Sequence, residues 1–258
     1  LESFMKSKMK TLSLAVLGFV GFGAAGAAMA QTCPASLTPP WSAALVTGAG
    51  SNASSVSGGF DTTACKLRTA IGQNANANGK AAVLDQTPAN ETRYRAQFIV
   101  DVSGIGLTQS NRAAIAFNVI GGTSPAGGTN NMFQAFLRGN GSGAALRFLV
   151  GDTAQPSFYR TIDVPLPNQA GANRVEIDLT VGGGTGSLRY WVTDVAASTS
   201  DGSPTGSSTT LANAAWTGVD QVTLGLGGAS GQWRANFTAT SYVFFDQFDS
   251  RRQTFIGH

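Results

Sequence analysis

The chain has 258 residues, 42% hydrophobic and only 12% charged, with two cysteines and one histidine, a length ample for a single sandwich or barrel domain. The formal charge of +3 falls to +1 once residues 1–30 are set aside, which leaves 14 basic residues against 13 acidic ones. Those basic residues, mostly Arg, are scattered singly along the chain, so neither nucleic acid nor an anionic membrane surface is implied as a partner.

Met5 opens a run built like a secretory signal. Lys6, Lys8 and Lys10 form a basic region, Leu12–Ala27 an apolar stretch diluted with glycine, and Ala28-Met29-Ala30 the small residues that a signal peptidase reads. The apolar stretch is shorter than the ~20 strongly apolar residues of a spanning helix. Residues 1–30 are therefore read as a signal peptide, with Leu1–Phe4 ahead of the true start. The mature chain is expected to be secreted, periplasmic or on a bacterial cell surface, with no membrane span. Gln31-Thr32 separate the cut from Cys33, which argues against a lipidated N-terminus.

Residues 31–58 are rich in Ser, Ala, Pro, Thr and Gly and carry one large aromatic, Trp41. They read as an extended arm. In an oxidising compartment Cys33 and Cys65 are expected to pair and tie this arm to an early strand. Their wide spacing, and a histidine found only at position 258, make a metal or redox pair a poor reading.

Residues 59–258 read as one all-β domain, in which short alternating runs are separated by Gly, Asn, Ser and Pro clusters. The runs are 94–102, 112–120, 132–138, 145–152, 158–164, 174–181, 187–194, 221–228 and 242–250, rich in β-branched and aromatic residues. "QNANANGK" (73–80) and the 198–209 stretch read as polar loops, and "TTLANAAW" (209–216) as one or two helical turns. Such a series predicts a two-sheet antiparallel sandwich. The predicted inward residues are Phe98, Val100, Ile115, Phe117, Phe136, Phe148, Val150, Ile177, Leu179, Tyr190, Val192, Leu224, Phe245 and Phe248.

Within "RVEIDLTV" (174–181), Glu176 and Asp178 share one strand face, with Cα atoms ~6.6 Å apart. The segments "YRAQFIVDVSG", "NRVEIDLTVGGGTGSLRYWVTD" and "FFDQFDSRR" resemble the concanavalin A-like lectin/glucanase superfamily, including laminin-G-like domains. The resemblance implies a jelly roll. In the family 16 glucanase branch it makes Glu176 the nucleophile and Asp178 the second acid of a catalytic strand, but Thr180 and Val181 stand where a third acid belongs. Retaining glycosidases need two carboxyl groups ~5–5.5 Å apart, so catalysis is not expected. Glu176 and Asp178 are instead read as a solvated face that pairs across strands with Arg189.

The resemblance also raises calcium, with Asp246, Asp249 and Asp152 as candidate ligands. Calcium takes six to eight oxygens, and residues three apart on a regular strand face opposite ways. A sugar platform is sought at Trp233, Arg234 and Asn236, with Trp216 and Tyr159 nearby, because aromatic faces stack on sugar rings and a polar rim orients them. The reading is an exported, non-catalytic recognition module for a glycan or extracellular polymer. Its alternatives are a self-associating surface or filament protein and a degenerate family 16-like glycoside hydrolase.

Overall fold

Alternation in most of the strands gives each one face that must leave water, and two seven-stranded antiparallel sheets stack to meet that demand. The computed structural model describes residues 32–109 and 111–258; the expected signal peptide lies outside the described residues. The first sheet runs in the order β1 (Ala43–Thr47), β4 (Lys80–Asp85), β13 (Val219–Gly227), β6 (Ala113–Gly121), β7 (Asn131–Gly139), β8 (Ala144–Gly151), β9 (Tyr159–Pro165). The second runs β12 (Gly206–Ala212), β11 (Gly183–Asp194), β10 (Ala172–Thr180), β5 (Arg93–Asp101), β14 (Val243–Arg251), β3 (Cys65–Ala70), β2 (Asn52–Ser57). The architecture is a jelly-roll β-sandwich.

The inner faces meet in one continuous aromatic core. Phe98 and Phe117 face each other from opposite sheets with ring centroids 5.1 Å apart; Phe133 and Phe148 continue the row at 5.2 Å, and Tyr190 closes it 5.2 Å from Phe148. All but Tyr190 are fully enclosed, and burying each such side chain is worth ~1.5–3 kcal/mol before chain entropy is charged against it. Ile115 and Phe136 depart from the predicted core. They pair across β6 and β7 and are only half-buried, while Phe133, Ala135 and Leu137 fill the interior. A register shift between Ile115 and Phe117 breaks the simple alternation there.

Each run read as a strand is one. The early strand expected at Cys65 is β3; β1, β2 and β4, whose small and polar residues carry little periodicity, are not apparent in the sequence. The 209–216 stretch is not helical turns: β12 runs through Ala212, and only Ala214–Trp216 forms a 3₁₀ turn. A six-residue helix, α1 (Gly231–Asn236), is capped by the Ser230 hydroxyl, which accepts from the Trp233 amide. Among the described residues no helix is long and apolar enough to cross a membrane.

The N-terminal arm is more than a stapled extension. Its β1 is the edge of the first sheet and its β2 the edge of the second, and Trp41 packs 5.0 Å from Phe248. The Cys33–Cys65 disulfide is formed, joining the start of the arm to β3 across 32 positions. Replacing both cysteines by alanine is expected to lower the unfolding free energy by about 3–4 kcal/mol through the freed denatured chain, read from urea unfolding. An unchanged midpoint would show that β1 and β2 alone hold the arm.

Candidate active site on the outer face of the second sheet

The middle of the second sheet has an outer face crowded with charge. Alternation aims Arg93, Arg95 and Gln97 outward from β5, Arg174, Glu176 and Asp178 from β10, and Arg189 and Trp191 from β11. Antiparallel register sets Glu176 between Gln97 and Trp191, and Asp178 between Arg95 and Arg189. In β14 an irregularity between Asp246 and Asp249 turns Gln247 to φ +47° and brings its amide to Arg174, 3.0 Å from the guanidinium.

This face is not solvated. Arg95, Glu176, Arg174 and Asp178 are 1%, 1%, 2% and 3% exposed. The expected cross-strand partner is present, since Arg189 Nη1 lies 3.7 Å from Asp178, but three guanidinium groups converge on that carboxylate. Arg93 grips it bidentately at 2.9 and 2.8 Å, and Arg95 approaches to 3.8 Å. Arg95 also reaches Glu176 at 3.3 Å and Asp201 at 3.0 Å. Its guanidinium carbon lies 5.1 Å from the ring centroids of both Trp191 and Phe255.

Two segments make the cover. The loop before β12 supplies Asp201 to Arg95 and Arg189, and the Ser200 carbonyl accepts from Trp191 Nε1 at 2.9 Å. From the other side residues 255–258 fold back across the strands. The Ile256 and Gly257 amides donate to the two oxygens of Glu176 at 3.1 and 3.0 Å. With its amide oriented to satisfy both neighbours, Gln97 accepts from Arg174 at 3.0 Å and donates to the Gly257 carbonyl at 2.9 Å. His258 Nε2 stands 3.1 Å from Asp61, which also takes a hydrogen bond from Arg174. Even so, Nε of Arg95 and Nε of Arg174 are buried with no hydrogen-bond partner among the described residues.

Burial pushes the Glu176 carboxyl above the ordinary glutamate range. The Gly257 and Ile256 amides and Arg95 oppose the rise, and the neighbouring Asp178 adds to it. Burial likewise lowers Arg174, against the pull of Asp61 and Glu176. Desolvating several ions costs more than their attraction commonly returns, so the cluster is poorly explained as a stabilising device. Perturbed, enclosed groups of this kind mark functional sites.

The other candidate residues are dispersed. Trp233 and Trp216 are fully buried and offer no face to a sugar; Trp233 packs on Phe237, and Trp216 donates to the Thr129 carbonyl. Tyr159 bonds the Asn131 carbonyl beside Trp216. Arg234 is spent on the Ala75 carbonyl, and Asn236 on Arg112 and Gln232. The β14 irregularity does set Asp246 and Asp249 on one face, yet Asp246 accepts from the Phe60 amide and Thr63, while Asp249 pairs with Arg251. Asp152, buried on the other sheet, holds Arg160 at 2.8 Å. Among the described residues no group of three or more His, Cys, Asp or Glu is set to hold a metal ion.

No family model and no curated protein matches the chain. Solved structures do. An endo-β-1,4-glucuronan lyase from the fungus Trichoderma reesei superposes on 86% of this chain and 95% of its own, with a TM-score of 0.60 at 14% identity. The cellulose induced protein Cip1 covers 83% of this chain and 91% of its own, with a TM-score of 0.51 at 14% identity. These likenesses establish the fold.

The lyase match also corrects the functional expectation. The absence of a third acid at Thr180 and Val181 argued for a non-catalytic recognition module and against an enzyme. A missing third acid excludes one glucanase motif only. The same fold, matched over nearly the full length of that chain, is the fold of a lyase, and the face taken as solvated is an enclosed charge cluster.

The folded chain holds the Glu176 proton more tightly than the unfolded chain does. The stability it contributes is complete below the ordinary glutamate range and is lost as pH rises through the raised value. Glu176→Gln is expected to remove that slope. Wild-type melting temperatures should fall relative to the variant's as pH rises from about 4; parallel melting curves would refute the burial effect.

Proposed function

We propose that the chain is a carbohydrate-active enzyme that cleaves a uronate-bearing polysaccharide by elimination, on the outer face of the second sheet. The observation that carries this reading is the enclosed set of Arg95, Arg174, Gln97 and Glu176. A polymer of acidic sugars presents a carboxylate to each such site. Guanidinium and amide donors are suited to bind it, and neutralising it acidifies the adjacent C5 hydrogen. In elimination that hydrogen passes as a proton to a solvent water acting as base, its electron pair forms the C4=C5 double bond, the C4–O4 bond breaks, and O4 takes up a proton. Glu176, held protonated to higher pH than an ordinary carboxyl, is assigned as the donor to O4. The glucuronan lyase supports this reading through its shared fold. The disulfide and the N-terminal pattern support action outside the cytoplasm.

The test is incubation with polyglucuronate and alginate, following the ultraviolet absorbance of the unsaturated product. The expected result is growth of that chromophore, slowed about 10²–10⁴-fold in kcat by Glu176→Gln. New reducing ends without the chromophore would replace elimination by hydrolysis at the Glu176–Asp178 pair. No cleavage of any acidic polymer would overturn the reading.

A further inference from the structure

β14 ends at Arg251, but the chain does not leave the sheet. Arg252 is anchored to Glu91 at 2.6 Å, Gln253 and Thr254 are exposed, and residues 255–258 return over the charge cluster. What this strap presents is unusual for a structural cover. Two adjacent backbone N–H groups meet the two oxygens of one carboxylate, Glu176. One carbonyl meets the Gln97 amide. A flat ring, Phe255, lies 5.2 Å from Trp191 and over Arg95. Gly257 sits at φ +70°, in the left-handed region that favours glycine.

Each contact has a counterpart in a sugar. A pyranose hydroxyl can donate to a carboxyl oxygen while a sugar oxygen accepts from its O–H or from an amide, and a pyranose face stacks on an aromatic ring. The strap falls short in one respect: Phe255, Ile256 and Gly257 bring no side-chain acceptor. Nε of Arg95 and Nε of Arg174 stay buried and unpartnered among the described residues, which is costly for charged donors. An acidic sugar would bring both the hydroxyls and carboxylate oxygens able to accept from these two donors.

We propose that Trp191, Arg95, Gln97, Glu176 and Arg174 form a subsite for one acidic sugar unit, and that residues 255–257 occupy it as a built-in, displaceable competitor. The proposal rests on the polyuronate reading above and adds its regulation. Phe255, Ile256 and Gly257 are only half-buried, and the exposed pair Gln253-Thr254 supplies the hinge. A site open only a fraction of the time binds with its affinity reduced by that fraction, so weakening the strap should tighten ligand binding. Phe255→Ala removes the ring from Arg95 and Trp191 while leaving Glu176, Gln97 and both arginines in place.

The experiment uses the full chain, wild type and Phe255→Ala, with a short oligoglucuronate and a neutral β-1,4-glucan oligomer of the same length. Affinity is read by calorimetry, and amide hydrogen exchange is followed at Ile256 and Gly257. The expected result has three parts. Both amides are protected in the free wild type and lose protection when oligoglucuronate binds. Phe255→Ala binds it about tenfold more tightly. The neutral oligomer binds much more weakly to both chains. Oligoglucuronate binding with the amides still protected, or with no gain in Phe255→Ala, would overturn the strap while sparing the polyuronate reading. Absence of oligoglucuronate binding to either chain would overturn both.

Discussion

One guanidinium sets the terms for the second sheet. Arg95 is 1% exposed in the middle of β5, and a charge placed there must be answered from every side. Glu176 and Asp178 answer from β10, Asp201 from the loop before β12, and Trp191 and Phe255 with their ring faces. No single strand could supply that shell. It requires the β5–β10–β11 register to hold, because a slip of one residue would exchange Arg95 and Glu176 for Ala96 and Ile177 on the outer face. The aromatic core beneath, from Phe98 to Tyr190, fixes that register. The hydrophobic inner face and the polar outer face are thus one constraint seen from two sides.

Most of the sandwich was legible in the sequence, because period-two alternation is written locally. Ile177 and Leu179 alternate with Glu176 and Asp178, and this places two residues inward and two outward without reference to any other strand. The alternation could not say that the outward residues would be covered. That depends on the loop around Asp201 and on residues 255–258, which lie far from Glu176 in the chain and carry no periodicity. Outward-facing carboxylates were therefore read as solvated. The arginines in "RYRAQF" were visible as well, but only the pairing of β5 with β10 turns them into partners of Glu176 and Asp178.

The misplaced sugar platform has a similar cause. Trp233 beside Arg234 and Asn236 looked like a rim because glycines and polar residues surround it. The Ser230 cap instead starts a short helix that turns the indole inward. Trp191, a strand residue, is the tryptophan that lies on the charged face, its indole N–H held by the Ser200 carbonyl. A tryptophan at an outward position of a strand, flanked by Arg189 and Thr193, was the signal available.

The N-terminal arm carries a different consequence. Its two strands close opposite layers: β1 borders the first sheet and β2 the second. A single segment therefore covers β4 in one sheet and β3 in the other. If that segment peeled away, β4 and β3 would each present bare amide and carbonyl rows, templates on which another chain can add a strand. The covalent tie at Cys65 thus guards against intermolecular strand pairing on two fronts at once.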